Sequence, residues 1–493
     1  FVTVEAVGLL FGFDMLGKTL APSVYNRWRK HLNHEKPPTQ LLLDKLVRQQ
    51  ADSIVRAVQR AVIAQALEND IGIAIENITD DMIRELRERA LGNQKDCGEF
   101  KAELGIDDKE ALGFIEKLRT TYKINSYYSR IQLERLGRIG FSIDEQAGFV
   151  STALRSIGLT GQFSRFVLLV GHGSTSENNP YESALDCGAC GGDHGLVNAR
   201  ALAQMANKPQ VRSRLKQQGL IIDDDVWFIP ALHNTTTDEL TMHDLELLPS
   251  SHLIYIDRLR NGLRSASHLC ALERLPELQP DKQYDDPVKA FADIQRNSLD
   301  WSQVRPEWGL SRNAYFIIGK RDMTLQANLE GRSFLHSYDY KADPKRRLLE
   351  NILGGPLVVG QWINMEHYFS TVDNEHLGSG SKVYHNVAGR FGVMTGNLSD
   401  LRTGLPSQTV LRNGVPYHEP MRLITVIQAP FDHALKAVYA VASVKRLVNN
   451  YRIRLVIIDP ETNKIHRYEN DEWLVQDSLQ NQDSTELPEE NLV

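Results

Sequence analysis

One stretch constrains this chain more than any other: Phe166 to Gly192, reading FVLLVGHGSTSENNPYESALDCGACGG. An apolar run, Phe166 to Val170, ends at Gly171-His172-Gly173-Ser174, and a polar loop then leads to Cys187-Gly188-Ala189-Cys190-Gly191-Gly192. A short bounded apolar run of this kind reads as a buried strand. Histidine nitrogen and cysteine sulfur are the donors zinc prefers, usually four in a tetrahedron, with one position open where the site is catalytic. The loop between His172 and Cys187 is long enough to fold both onto one ion, and its glycines permit close backbone approach. Spacing alone leaves other readings open. His172, Cys187, Cys190 and His194 could form a structural zinc site by themselves. Cys187 and Cys190 could be a redox dithiol, and His172 could be an ordinary core histidine.

The surrounding pattern predicts an α/β fold. Ser142 and Glu145 have capping-box spacing, so a helix is expected to about Ile157, with Gly158 just past its end. After the glycine-rich loop come helices at Gly195–Met205 and Pro209–Gln218. A second buried strand, Val226–Leu232, ends at His233-Asn234-Thr235-Thr236. Helices alternating with strands indicate a parallel sheet. Ligands of such sheets bind outside the carboxyl ends of the strands, where His172 and His233 would both lie. His233, Asp238 and Glu239 form a polar cluster that either supports a site or merely caps a loop.

The first third reads as helical: Gln40–Glu68, a helix capped at Thr79 and running to Leu91, and one from Asp107 to Leu136. Val2–Phe13 resembles a strand or loop entering a core, and 20–37 reads as irregular. Farther on, helices are expected at Leu253–Leu275, Pro287–Leu299 and Arg346–Leu353, and a strand at Ala314–Ile318. Residues 356–410 show little periodicity and read as a long irregular segment containing His367, His376 and His385, with His418 beyond it. Strand, helix and strand follow at Leu423–Ile427, His433–Val448 and Arg454–Ile458. The expected division is a helical block at 1–140, an α/β zinc-site core at 141–350, an irregular plus α/β region at 351–473, and an acidic disordered tail at 474–493.

Composition narrows the function. A net charge of −7 argues against a nucleic-acid binder. Four cysteines in 493 residues do not make a disulfide framework. No apolar run reaches the length of a membrane span. No Walker loop, GxGxxG or HExxH motif is present.

The loop at 171–192, RPEWGLSRNAYFIIGKR at 305–321, the segment from Gly355 to Gln408 and YHEPMRL at 417–423 together resemble the DabA subunit family of inorganic-carbon accumulation complexes. The resemblance covers about residues 1–460. It implies a zinc-binding peripheral protein with a core similar to a β-type carbonic anhydrase, at the cytoplasmic face of the inner membrane. It further implies a membrane partner, DabB, related to the antiporter-like subunits of respiratory complex I, and energy-coupled hydration of CO2 to bicarbonate. In the family a Cys-x-Asp-x-Arg motif supplies a Cys and an Asp to the Zn2+ ion, and a His and a second Cys complete it. By resemblance those last two are His172 and Cys187, which leaves Cys190 a packing role. No Cys-x-Asp-x-Arg occurs here: Cys97, Cys187, Cys190 and Cys270 are all followed otherwise. The chain is therefore expected to be the carboxyl-terminal portion of a longer protein, with two of four ligands. A non-catalytic zinc scaffold for the membrane subunit and a soluble metal-dependent hydrolase are the rival readings.

Overall fold

The computed structural model describes residues 12–32, 43–93, 106–175, 186–187, 190, 193–279, 282, 284–300, 308–378, 387–388, 391–392 and 404–477. The chain forms two compact units, one of Pro38–Ala147 and one of Phe1–Pro37 with Gly148–Val493.

The smaller unit is helical, with helices Arg48–Ala66, Asp80–Leu91, Asp108–Thr120 and Ser126–Leu136. Ile63, Leu67, Leu86 and Leu118 are its fully buried centre. The Thr79 cap forms as expected, its hydroxyl accepting from the Met82 N–H. The single helix expected over Asp107–Leu136 is instead two. Lys123 adopts a positive φ of 59°, and the Asn125 side chain accepts from the Tyr128 N–H to start a new helix. An asparagine cap overrode a continuous apolar period.

The larger unit holds the α/β part, and the chain enters it through a helix that starts in the smaller unit. The capping box at Ser142 is present in both directions: the Ser142 N–H donates to Glu145 at 2.8 Å, and the Glu145 N–H to Ser142 Oγ at 3.3 Å. The helix runs Ile143–Ser156, and Gly158 has the positive φ expected of the residue past its end. Strand β1 (Phe166–Gly173) pairs in parallel with β2 (Trp227–Asn234), which pairs antiparallel with a short β3 (Glu239–Met242). Helix αA (Leu196–Asn207) makes the crossover and packs on both parallel strands. Long helix αB (Leu253–Leu278) follows β3, and its Ile256 meets Ile229 and Leu168.

A second sheet of six strands contains all three later strand candidates. They are β4 (Tyr315–Gly319), β6 (Ile424–Gln428) and β7 (Arg454–Asp459), joined by β5 (Ser333–Ser337), β8 (Lys464–Glu469) and β9 (Glu472–Asp477). The order is β9-β8-β7-β6-β4-β5, parallel from β7 to β5 and antiparallel at β8 and β9. Ile318, Ile427 and Ile457 have no exposure and form its core with Leu349, Leu353 and Leu357 from the helices on one face.

The structure departs from three of the expected elements in this unit. Residues 20–37 include a helix, Pro22–Leu32, whose leading proline suits a first helical position. The segment expected to be irregular from 356 opens with a helix, αC (Pro356–Val372). Its buried stripe is mostly polar (Gln361, Asn364, His367, Ser370) while Val359, Trp362 and Phe369 are exposed, so it shows no apolar period facing a core. The helix expected over His433–Val448 is two, Phe431–Ala440 and Ala442–Asn449. Most of Val2–Phe13, His385 and most of the acidic tail lie outside the described residues.

αC buries His367 against His418, with ring centroids 5.3 Å apart. The Arg312 N–H donates to His418 Nδ1, which leaves the ring proton on a buried Nε2. Burial, and then the charges of His367 and Arg332, push the His418 pKa down to about 4. The folded protein thus holds this ring neutral, while the unfolded chain takes up a proton below about pH 6.5. Stability is expected to fall as pH drops from about 6.5 to 4, by up to about 3 kcal/mol from this group. Thermal midpoints measured across that range should show the slope, and His418→Asn, which keeps an acceptor for Arg312, should flatten it.

Candidate functional site: the carboxyl edge of β1 and β2

The site begins where β1 runs out of side chains. A Cβ on Gly171 would lie 2.4 Å from the Gly195 carbonyl carbon, and one on Gly173 would lie 2.6 Å from His194 Nδ1. The Gly195 N–H donates to the His172 carbonyl at 2.8 Å. The two glycines therefore seat the start of αA directly on the strand. Successive side chains of a strand point to opposite faces. His172 therefore points away from αA and His194, to the face that Leu168 buries against αB. It is exposed, and its register partner on β2 is His233, on the same face.

The cysteine loop is tied back to the same edge. Asp186 accepts from the Ser174 N–H at 2.7 Å and from its hydroxyl at 3.0 Å. This bond draws the neighbour of Cys187 to a residue two positions past His172. The loop then closes on itself, with Cys187 N–H donating to the Asp193 carbonyl and Cys190 N–H to the Cys187 carbonyl. The two thiols are within hydrogen-bonding reach, and that contact, followed by burial, raises the Cys190 pKa. Asn198 Nδ2 donates to Cys190 Sγ at 3.3 Å.

The β2 end is braced across the strands. Asn234 Nδ2 donates to Thr175 Oγ1, the Thr236 hydroxyl donates to the Thr175 carbonyl, and the Thr235 N–H donates to the Gly173 carbonyl. His233 Nε2 lies 3.0 Å from Asp238 Oδ1, and Asp238 Oδ2 lies 2.8 Å from Arg274 of αB. Arg274 also donates to the Thr235 carbonyl.

The structure thus brings His172 and His233 to one strand edge, and Cys187 beside Cys190 in a loop anchored there. Among the described residues no three His, Cys, Asp or Glu side chains converge as a metal-holding group. His194 takes the opposite face from His172, with its Nε2 3.9 Å from Asp186, and among the described residues the four-residue group considered for this loop does not converge. Glu239 is exposed on β3 and does not join His233 and Asp238. His376 is an exposed partner of Asp373, and His367 and His418 belong to the second sheet's surroundings. The available donors, one imidazole and adjacent thiols, suit zinc chemically but supply only part of a tetrahedron. Sequence reasoning missed Asp186, Ser174 and Arg274. Asp186 adjoins a singled-out cysteine and could have been flagged. Arg274 carried no signal, because only the packing of αB brings it to Asp238.

These features define a mixed α/β protein with a histidine- and cysteine-bearing edge on a parallel strand pair. No helix among the described residues is long and apolar enough to cross a membrane. Residues 1–453 match the profile of the family described as "Probable inorganic carbon transporter subunit DabA". A relative of that description from Thiobacillus denitrificans is 64% identical over 96% of this chain and 46% of its own length. Relatives from Halothiobacillus neapolitanus and Aquifex aeolicus are 58% and 46% identical, each over 96% of this chain and 45% and 47% of their own length. The chain belongs to the DabA family of inorganic-carbon transporter subunits. It spans about half the length of the curated relatives it matches. No solved structure matches it.

Proposed function

We propose that this chain supplies half of a zinc site at which a peripheral transporter subunit hydrates CO2 to bicarbonate, in complex with a membrane-embedded partner. One observation carries the reading: the bond from Ser174 to Asp186, which brings the segments bearing His172 and Cys187 to one edge of a parallel sheet. His172 and Cys187 would hold the metal, with a Cys and an Asp from outside this chain completing the set. Zinc, when bound, would supply the Lewis acidity that makes water a nucleophile near neutral pH. The chain's own residues do the rest. Gly171 and Gly173 let αA sit against the strand, Asp186 fixes the cysteine loop, and the Asn234–Thr175–Thr236 bonds hold the two strand ends in register. The expected likeness of the core to a β-type carbonic anhydrase, the peripheral position at the cytoplasmic face of the inner membrane and the antiporter-like partner are part of this proposal. Its support is the family membership and the donor chemistry at the edge.

The test is made on the complete native protein. His172→Ala should lower bound zinc to background by elemental analysis and abolish growth that depends on inorganic-carbon uptake. Unchanged zinc and growth would refute the assignment. Full zinc with lost growth in variants that leave the donors alone would favour a reaction at the metal over a zinc scaffold.

A further inference from the structure

We infer that His233 is a fixed lone-pair acceptor at this site, held in one tautomer by Asp238 and Arg274 as positioning residues. The inference rests on the hydration reading above and adds to it a residue outside the expected ligand set.

His233 is the register partner of His172 and shares its face of the sheet. Its Nε2 lies 3.0 Å from Asp238 Oδ1. Arg274 is a donor only, and its guanidinium binds the other carboxylate oxygen at 2.8 Å while also donating to the Thr235 carbonyl. A carboxylate so paired accepts and does not donate. In the neutral ring the proton therefore sits on Nε2, and Nδ1 is the acceptor. A histidine whose far nitrogen is held by a carboxylate is the arrangement that fixes ring orientation at metal and acid–base sites.

A bare Nδ1 on the sheet face that also carries His172 fits the O–H of water or of bicarbonate. It accepts a hydrogen bond from the reacting oxygen and so orients it, and no bond to His233 forms or breaks. The clamp is also accessible. Asp238, Arg274, Thr235 and Thr236 line a cavity of about 500 Å³ that also reaches Arg312 and Tyr417, so water reaches the clamp from its Asp238 side.

Asp238 has a φ of 58°, a left-handed conformation that asparagine also tolerates. Asp238→Asn is therefore compatible with the backbone. Because Arg274 only donates, it will draw the amide oxygen toward itself and turn the amide NH2 toward His233. The ring must then accept at Nε2 and carry its proton on Nδ1, the wrong nitrogen.

Two readouts on the complete native protein test this. Magic-angle-spinning 15N spectra of histidine-labelled, metal-free protein, with His233→Gln identifying the signal, should show Nε2–H in the wild type and Nδ1–H in Asp238→Asn. The rate of 18O exchange between CO2 and water should fall about 100-fold in Asp238→Asn through loss of orientation, with bound zinc and KM unchanged. His233→Gln should fall equally, and the double variant no further. Nδ1–H in the wild type, or a tautomer flip with exchange within threefold of wild type, would overturn the inference. Failure of the underlying reading looks different: His172→Ala would then keep zinc and exchange, whatever Asp238 does.

Discussion

Cys187→Ala is expected to leave the complete native protein without bound zinc and without inorganic-carbon uptake. The thiolate is the only sulfur donor this chain is proposed to give the metal. Its removal leaves His172 as a single donor from this edge, too few to hold the ion in place. Cys190 sits beside it and is the obvious substitute, but its N–H is bound to the Cys187 carbonyl and its sulfur to Asn198. Cys190→Ala is accordingly expected to retain zinc. Elemental analysis of both variants, read beside uptake of labelled bicarbonate, decides the matter. Zinc retained in Cys187→Ala and lost in Cys190→Ala would move the site to the other thiol.

Gly171→Ala should unseat the site without touching a donor. The added methyl would meet the backbone of Gly195 and Leu196 at 2.4 to 2.8 Å, and backbone has no rotamer in which to yield. Either αA lifts off β1 or the strand end bends. Overpacking of this kind costs about 1–3 kcal/mol, which corresponds to a fall in Tm of about 1–4 °C for a unit of this size. The larger consequence is positional, because the Gly195-to-His172 hydrogen bond must lengthen and the cysteine loop moves with it. Bound zinc should fall together with Tm. Gly148→Ala serves as the control. It lies inside a helix with nothing within 4 Å of the new methyl, so it should leave Tm equal or slightly raised. If Gly171→Ala melted like Gly148→Ala, the close seating of αA would not be what holds the edge.

Elements whose signals are local were legible from the sequence. The Ser142 box, the Thr79 cap, both strands of the parallel pair and the three core strands of the second sheet rest on residues a few positions apart. Their apolar runs and caps act through the nearest turn or strand. Where the chain gave a false signal, a local competitor or an absent period explains it. Asn125 cut one expected helix into two, and αC, which buries polar side chains and exposes apolar ones, showed no apolar stripe and passed for a loop.

The candidate site divides along the same line. The sequence by itself marked the candidate donors: His172 at the end of an apolar run and two cysteines in a glycine-rich loop, with no Cys-x-Asp-x-Arg beside them. It also determined that His233 ends a second strand. Only the tertiary structure decided which groups act together. The parallel register of β1 and β2 put His172 opposite His233. The strand pleat sent His194 to the other face. A helix beginning at Leu253 carried Arg274 to Asp238, 36 residues away in sequence. Donor identity is a property of single residues, whereas a hydrogen-bonded chain across a sheet edge depends on packing between segments distant in sequence.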